Sequence, residues 1–396
     1  MGAFYVTTIT SSLLQPPPFS AISSPTLLHH LKPITSTFRM RLHLIELVLN
    51  YSGMLSLLKR ALMCAVSEDA NKTDTVEIHS LTGVLKEADP NKDGSTTFVD
   101  EKCSEVWSQF AKRVSGEWDG FGAEFTIEGK PIELPESVVP EAYREWEVKV
   151  FDWQTQCPTL AQPKDQILEY RTIQLLPTVG CEADAATRYS IDERKIGGDN
   201  ISAFAYQSSG SYVAVWQKKD NLIELEYCLI SPHDFESRVR IIQLVNVIDK
   251  TKLVLESIKV FREQWYGPFR NGEQLGGCAI RDSAFASTAP LDASQVTGVW
   301  EGSKSVADFG SPNAIFERLV NEKVKKCVRD GAKDTILLPK KMWSSVKERK
   351  DGEKSVSEVG WVLDDGQAIT STCLFSSNAK LEEISIALET KAQEDV

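Results

Sequence analysis

Apolar and polar residues alternate along most of the chain after residue 116, a pattern that predicts β-strands rather than helices. Ile223, Leu225 and Tyr227 point one way in such a strand, while Glu224 and Glu226 point the other way. Comparable runs occur at residues 145–154, 167–176, 187–194, 201–206, 211–217, 239–247 and 253–262. About nine strands at short spacing, without helices between them, predict an antiparallel sheet, and closing that sheet into a barrel removes its edges.

The alternation is interrupted at residues 267–292, which are rich in Gly, Ala and Ser, and we therefore place a domain boundary near residue 290. Strand-like runs resume at residues 335–339, 355–363, 368–375 and 381–388, whereas residues 315–328 have the apolar spacing of a helix. About five strands are too few to close a roomy barrel. The second half is therefore either a reduced sheet that leans on the first or a barrel that lacks strands.

A Gly-x-Trp phrase opens each half of the chain. Gly116 and Trp118 begin the first copy, and Gly298 and Trp300 begin the second, 182 positions later. A fixed offset between similar segments indicates internal repetition. This phrase at the head of an antiparallel meander is typical of lipocalin-like barrels, in which the tryptophan plugs the closed end. The sequence thus predicts two related barrels, over residues 111–290 and 291–396.

Residues 65–110, which precede the first barrel, are predicted to form an acidic linker followed by an amphipathic helix. Helical periodicity covers residues 99–114, where Val106, Trp107 and Phe110 share one face with Val99 and Cys103. This helix comes directly before the first Gly-x-Trp phrase. We expect it to cover one end of the barrel.

Residues 1–64 have the composition of an organelle transit peptide of the plastid type. They are rich in Ser and Thr and contain five basic residues but one acidic residue, Glu46. Their apolar part, residues 42–58, is too short and too polar to span a bilayer. The alternative, an untrimmed extension without a targeting role, applies best to residues 40–63. We expect a protein of the chloroplast stroma.

The net charge and the cysteine pattern exclude several classes of partner. A net charge of −12 and an isoelectric point near 5.1 argue against nonspecific binding to nucleic acid or to anionic membranes. The eight cysteines are scattered, with no CxxC motif, so a structural zinc site is not expected. In a reducing compartment they are expected to be free thiols.

Several phrases of the sequence resemble the domain of unknown function 3598 family of cyanobacteria and plastids. They lie, in chain order, at residues 115–121, 239–244, 260–263, 299–302, 337–339 and 358–361. The resemblance covers about residues 107–392 and implies a two-part calycin (lipocalin-like) fold of plastid origin. It implies no activity, because the family has no established one.

Calycin barrels also suggest a partner for each entry tryptophan. An arginine of the last strand commonly lies across the indole, a contact worth about 0.5–2 kcal/mol. Arg262 is the matching residue for Trp118, and Lys391 is a poorer match for Trp300. These residues, with Gly116 and Gly298, are assigned a structural role.

One segment fits the ligand pattern of an EF-hand calcium loop. Its oxygen ligands would come from Asp89, Asn91, Asp93 and Asp100, with Gly94 at the sharp turn. However, Asp100 is shorter than the glutamate that normally closes such a loop, and no second hand is present to pair with it. A chance arrangement of turn residues in an acidic linker is the favoured interpretation.

No catalytic motif was found. Phosphate-binding loops, HExxH, GxSxG and dinucleotide-binding glycines are missing from the sequence. His233 lies in a turn, and the carboxylates of Glu117 and Asp119 flank Trp118 at the expected closed end, where a structural role is favoured. Whether the protein is an enzyme stays open at this point, with a non-enzyme preferred, and no cofactor is identified.

The interior of the first barrel is the remaining candidate for a functional site. Closed sheets of about eight strands hold one small apolar ligand. The predicted ligand-binding residues combine aromatic rings with one cation and are Trp146, Tyr170, Arg171, Tyr206, Trp216 and Tyr227. Arg188 and Glu224 are further charged candidates. The alternative is that the rings simply fill the core.

Three functions follow from this pattern. The leading hypothesis is non-catalytic binding of a small hydrophobic or pigment-like ligand, such as a tetrapyrrole, a carotenoid or a fatty acid. The second is a chromophore-handling enzyme similar to the bilin lyases, which share this architecture. The third is a plastid assembly or scaffold protein with a packed barrel and a protein partner. None of the three involves nucleic acid or a membrane span.

Overall fold

The computed structural model describes residues 95–396, except for residues 180–186, 198–199, 220, 274–283, 312, 323, 331–333, 350–353 and 393–396. Side chains are described from Ser104 onward. Helices are few in this part of the chain: α1 (Ser95–Val114), α2 (Glu141–Glu145), α3 (Ala293–Val296) and two 3-10 turns at Glu136–Val138 and Phe285–Ser287. The protein is mainly β, as predicted.

The first sheet has eleven strands and curls into a half-barrel. Its strands are β1 (Glu117–Phe125), β2 (Trp153–Gln156), β3 (Thr159–Gln162), β4 (Ile167–Leu175), β5 (Arg188–Ile196), β6 (Ala203–Tyr206), β7 (Tyr212–Lys219), β8 (Leu222–Ile230), β9 (Ser237–Ile248), β10 (Lys252–Gly267) and, from further along the chain, β12 (Phe316–Arg318). Their order is β12-β6-β7-β8-β9-β10-β1-β2-β4-β3, and β5 pairs with β4. All pairs are antiparallel except β12 with β6.

The second sheet has eight strands. They are β11 (Gly298–Asp308), β13 (Val320–Asn321), β14 (Lys325–Arg329), β15 (Thr335–Leu338), β16 (Met342–Glu348), β17 (Ser355–Val362), β18 (Gln367–Phe375) and β19 (Leu381–Lys391). Their order is β13-β11-β19-β18-β17-β16-β15, and β14 also pairs with β11. The second half therefore contains more strands than the sequence pattern predicted.

The strand order supports the predicted internal repeat. In the first sheet the series β6-β7-β8-β9-β10-β1-β2 contains five consecutive strands, then the Gly-x-Trp strand β1, then β2, which pairs with β1 on its other side. The series β15-β16-β17-β18-β19-β11-β14 repeats this arrangement in the second sheet. In each half the last strand pairs with the Gly-x-Trp strand. The first half has additional strands, so the second is the reduced copy.

The predicted helix over residues 315–328 is wrong, because this segment forms β12, β13 and β14. Val320, Val324 and Val328 have helical spacing but are 52%, 61% and 63% exposed, so they do not form a buried helical face. β-Branched residues also favour strands over helices. Since β12 joins the first sheet, a boundary at residue 290 does not fully separate the two sheets, and the domain limits stay a prediction.

The predicted strand over residues 145–154 is also wrong for most of its length. The short helix α2 ends at Glu145, and Trp146 caps it, with its side chain 62% exposed. Regular strand begins only at Trp153. Pro140 sets the start of α2, since its fixed φ suits the position before a helix. Trp146 therefore does not line a barrel.

The central strands of the first sheet are buried on both faces, whereas β5 at its edge is mostly exposed. One face packs against the second sheet through apolar residues such as Tyr227 and Val359. The opposite face packs against α1, whose Trp107 and Phe110 are fully buried. Because successive strand residues point to opposite faces, Cys228 belongs to this second layer while Tyr227 belongs to the first.

Candidate functional site

The two entry tryptophans have equivalent surroundings. Trp118 and Trp300 are 0% and 1% exposed, and each donates its indole N–H to the carbonyl four residues earlier. The Nε1–O distances are 2.9 Å to Val114 and 2.8 Å to Val296. In both cases the residue whose carbonyl accepts this bond is the last residue of a helix. The shared geometry supports the repeat more directly than the strand order does.

The glycine of each phrase is required by backbone conformation. Gly116 and Gly298 have φ values of 149° and 118°. Residues that carry a Cβ atom rarely adopt this backbone conformation. A Cβ at position 116 would also overlap the indole of Trp265, which pairs with Trp118 across β1 and β10. Gly lets the last strand close onto the entry strand in the first half.

The arginine over each tryptophan is not the residue that the calycin resemblance implied. The guanidinium of Arg238 in β9 lies 4.3 Å from the ring centroid of Trp118. Arg262 in β10 is half-buried and instead helps to lower the pKa of Asp364. In the second half Arg329 of β14 lies 5.6 Å from the ring of Trp300.

Lys391 therefore does not have the role that its position suggested. It pairs with Trp300 across β11 and β19, but its ammonium donates to the carbonyl of Ser294, at 2.6 Å. The two arginines that cover the tryptophans come from strands that do not correspond in the repeat. The cation over the indole is thus common to both halves, while the strand that supplies it differs.

Four charged side chains fill the centre of the half-barrel, and we call Glu226, Arg238, Arg240 and Glu263 the inner cluster. All are at most 4% exposed. Arg238 Nε lies 2.7 Å from Glu263 Oε2, and Arg240 Nη2 lies 3.0 Å from Glu263 Oε1. Arg240 Nη1 is 3.3 Å from Glu226 Oε1. The β9–β10 register places Arg238 directly opposite Glu263.

Hydroxyl groups satisfy much of the remaining hydrogen bonding of the inner cluster. Tyr212 donates to Glu226 at 2.8 Å, and Tyr170 donates to the other oxygen of the same carboxylate. Arg240 Nη2 donates to Thr172 at 3.0 Å, and Arg238 Nη1 donates to Thr159 at 3.3 Å. Buried charges persist only when paired and hydrogen-bonded in this way.

Glu263 of the inner cluster keeps its charge in the folded state. Burial alone raises the pKa of Glu263, but the guanidiniums of Arg238 and Arg240 outweigh burial and hold that pKa below its ordinary value. The second half repeats this balance at Glu358, where burial is outweighed by Arg329, at an Nε–Oε1 distance of 2.9 Å. Both carboxylates are therefore ionised at neutral pH.

Asp119 is the exception beside the inner cluster. Burial, and then the negative charge of Glu117, raise its pKa to about 7, with Glu263 adding to the shift. A hydrogen bond with Gln156 acts in the opposite direction. Its Oδ1 atom has no hydrogen-bond partner among the described residues. The folded protein thus binds a proton at Asp119 more tightly than the unfolded chain does.

Asp119→Asn is expected to raise the free energy of unfolding by about 4 kcal/mol at pH 8 and to leave it almost unchanged at pH 4. The folded pKa of about 7 lies above the ordinary value of 3.8. The carboxylate therefore destabilises the fold increasingly as the pH rises from about 4 to about 7. Urea unfolding at pH 4, 6 and 8 measures the effect.

The exposed Asp165 offers the control for this substitution. Asp165→Asn is expected to change stability by less than about 0.5 kcal/mol at each pH. An equal effect of Asp119→Asn at pH 4 and pH 8 would contradict a raised pKa for this carboxyl.

The structure does not bring the six predicted ligand-binding residues together. Tyr170, Tyr206 and Trp216 are buried on the face of the first sheet that packs against α1. Tyr227 lies on the opposite face and bonds Ser357 of the second sheet, at an Oη–Oγ distance of 2.5 Å. Rings and the inner cluster occupy the centre where a ligand was expected.

The other two predicted residues lie outside that centre. Trp146 is exposed at the end of α2. Arg171 lines a surface pocket of about 390 Å³ at the edge of β4 and β5, together with Tyr170 and Arg194. Its guanidinium bonds Asn271 and lies 3.6 Å from Glu193.

The cations of this edge pocket are already neutralised by carboxylates. Arg194 pairs with Asp192, at 2.8 Å, and with Glu224, while it also lies 4.8 Å from the ring centroid of Trp216. Lys195 similarly pairs with Glu169, at 2.8 Å. Arg188, a further candidate, donates to the carbonyl of Gly272 at 2.9 Å. The pocket offers a ligand little uncompensated charge.

A larger open cavity of about 550 Å³, which we call the cleft, lies between the turns of the first sheet and one face of the second. It is lined by Val106 of α1, by residues 207–209, Ser211, Ile230 and Pro232 of the first sheet, by residues 318–321, and by Ser303, Ser305, Ile369 and residues 386–388 of the second sheet. The sequence pattern did not predict this site.

The inner cluster was also missed, although a signal was present. Arg238 and Arg240 alternate with apolar Val239 and Ile241, and Glu226 alternates with Leu225 and Tyr227. Such alternation predicts that the polar face meets solvent. Instead α1 and the additional strands of the first half cover that face.

The predicted calcium loop stays a prediction. Asp89, Asn91 and Asp93 lie outside the described residues, as does the side chain of Asp100, whose backbone belongs to α1. Within the part of the chain that the structure describes, no group of three or more His, Cys, Asp or Glu side chains could hold a metal ion. Nor does any described helix have the length and hydropathy needed to cross a bilayer.

No family model matches this chain, and a search of curated proteins found no similar sequence. Among solved structures, the chain is similar to the crystal structure of a protein of unknown function of the DUF3598 family from Nostoc punctiforme. The match has 12% identity and a TM-score of 0.43, and it covers 72% of this chain and 99% of that chain. This is the family that the sequence phrases resemble. The match supplies no activity and no ligand.

Proposed function

We propose that the protein binds, without transforming it, a small ligand with a large apolar part, and that the ligand occupies the cleft. The observation that carries this proposal is the contrast between a filled half-barrel and an open cleft of about 550 Å³. Ligand sites generally enclose about 300–1,000 Å³ and combine apolar walls with a few polar groups. The cleft has this size and this mixture.

The floor of the cleft is apolar. Ile369 and Ile386 are 4% and 3% exposed, and they belong to neighbouring strands of the second sheet. Leu388 and Val320 extend the apolar surface to the rim, where they are 36% and 52% exposed. Covering such exposed apolar surface is favourable by about 25 cal/mol per Å².

The walls of the cleft are polar but almost uncharged. Ser303 and Ser305 of β11 contribute hydroxyls from the second sheet, and Ser211 contributes one from the first. Two of these hydroxyls are already engaged: Ser305 bonds Asn321 at 2.5 Å, and Ser211 accepts from the Ile230 amide at 2.9 Å. A ligand therefore has few polar groups to desolvate.

The proposed site is testable with an uncharged fluorescent probe, N-phenyl-1-naphthylamine. We expect saturable binding by the full chain, and we expect Leu388→Trp to weaken that binding by about tenfold or more, because the larger ring fills the rim of the cleft. Probe emission against protein concentration measures the dissociation constant.

Val328→Trp is the matched control, since Val328 is 63% exposed on β14 and does not line the cleft. It is expected to leave the dissociation constant unchanged. Equal binding by both variants would place the probe elsewhere. If the wild type shows no saturable binding, the proposal fails and the scaffold alternative gains. Covalent transfer of a bilin to an acceptor protein would instead favour the lyase alternative.

We also propose that the mature protein is located in the plastid stroma. The support is the composition of residues 1–64, which are rich in Ser and Thr and poor in acidic residues. Incubation of the full-length precursor with isolated chloroplasts tests this location. A protease-protected, shortened product is expected, and a precursor that stays full-length and protease-sensitive would contradict it.

A further inference from the structure

We infer that the ligand of the cleft is an anionic amphiphile, a carboxylate on an apolar chain, whose charge pairs with Arg318. This inference rests on the proposed function and adds the chemical class of the ligand. Arg318 is the only charged residue among the described residues that line the cleft. The ligand would place its chain on the apolar floor and its head group at this cation.

The backbone holds Arg318 in a defined position. It is the last residue of β12, which pairs in parallel with β6 and places Arg318 beside Tyr206. The amide of the next residue, Leu319, donates to the carbonyl of Tyr206 at 2.9 Å. Arg318 thus lies at the point where the chain leaves the first sheet for the second. It forms part of the wall of the cleft.

Arg318 differs from several other half-buried or buried arginines of the protein. Arg194, Arg238 and Arg329 each form an ion pair with a carboxylate. Arg318 is half-buried and forms no ion pair with any described residue. A partly desolvated guanidinium without a counter-charge is a ready partner for an anion.

Glu317 and Asp308 do not fill this role. Glu317 precedes Arg318 on β12, and its pKa is raised by burial and then by the negative charge of Asp308. Both acids line a neighbouring groove that Arg318 also borders, but neither forms an ion pair with Arg318, which lines the cleft as well. The cationic group stays available to the cleft.

The apolar floor and the single cation together define the ligand class. A carboxylate accepts two parallel N–H bonds from a guanidinium, and such charge-assisted bonds are stronger than neutral ones. A polyanion would bring more negative charge than one arginine neutralises, and the acidic protein would repel it, given a net charge of −12. One negative charge on an apolar body is the best match.

The experiment compares dodecanoate with dodecan-1-ol, which have the same chain length and differ in charge. Displacement of N-phenyl-1-naphthylamine from the full chain gives both affinities. We expect dodecanoate to bind about tenfold more tightly than dodecan-1-ol, as one charge-assisted hydrogen-bond pair predicts. Arg318→Gln is expected to abolish this preference while leaving the affinity for dodecan-1-ol unchanged.

Arg171→Gln serves as the control, because Arg171 lies at the edge pocket rather than the cleft, and it is expected to retain the tenfold preference. If wild type and Arg318→Gln bind both compounds equally well, the inference is overturned while the proposed function stands. If neither compound displaces the probe, the inferred ligand class is wrong, and the proposed function is decided separately by the effect of Leu388→Trp on probe binding. Circular dichroism of each variant confirms that it is folded.

Discussion

Arg240→Met is expected to lower the free energy of unfolding by about 3–5 kcal/mol. Arg240 is fully buried and pairs with both Glu226 and Glu263, so its removal leaves two carboxylates with too little positive charge in a medium that solvates them poorly. Methionine fills most of the vacated space, which keeps the loss of packing small. Urea unfolding followed by tryptophan fluorescence measures the change.

The matched control is Arg171→Met, which removes a partly exposed arginine whose ion pair with Glu193 spans 3.6 Å. Exposed pairs contribute about 0–1 kcal/mol, so this variant should be close to the wild type. If Arg240→Met also costs less than about 1 kcal/mol, the inner cluster does not hold charged groups in a dry centre.

Trp118→Ala and Trp300→Ala are each expected to cost about 3–5 kcal/mol, the usual range for the loss of a buried tryptophan. Both rings are buried, both donate to the carbonyl four residues earlier, and both lie under an arginine. Equivalent surroundings predict losses of the same order. Thermal and urea unfolding of the two variants give the comparison.

Trp146→Ala is the control for this pair, because the side chain is 62% exposed, and its effect should stay within about 0.5 kcal/mol. A large loss for Trp118→Ala together with no loss for Trp300→Ala would show that the second half lacks an equivalent anchor. The repeat would then be one of sequence without equal structural roles.

The entry phrases were predictable because they combine two strong local constraints. Gly116 and Gly298 take backbone conformations that favour glycine, and Trp118 and Trp300 are too large to be placed on a surface without cost. Alternation of apolar and polar residues also identified most strands. Local chemistry and periodicity thus determine the mainly β, tandem architecture.

The structure of residues 315–328 and 145–154 was not predictable from periodicity. The valines of residues 315–328 have helical spacing, yet the segment is extended because β12 pairs with a strand more than a hundred positions earlier. Similarly, the alternation at residues 145–154 carries no information on whether a partner strand is present. Pairing between distant segments overrides local pattern in both places.

The functional sites were the least predictable part. Alternation could not reveal that the polar face of β8 and β9 is covered, since that depends on α1 and on strands elsewhere in the chain. The cleft depends on two sheets meeting, and its lining residues come from seven separate stretches of sequence. Aromatic content pointed to Tyr170, Tyr206 and Trp216, whose rings fill the core instead.

Photo-cross-linking tests the central claim, a filled half-barrel beside an open cleft, most directly. The full chain is irradiated with a diazirine-bearing dodecanoate, and the modified residues are located by mass spectrometry. Competition with unlabelled dodecanoate identifies the specific adducts. Adducts at residues 318–321 and 386–388, which line the cleft, are expected. Specific adducts at Tyr212 or Trp216 would contradict it, because these rings are buried in the half-barrel and line neither the cleft nor the edge pocket.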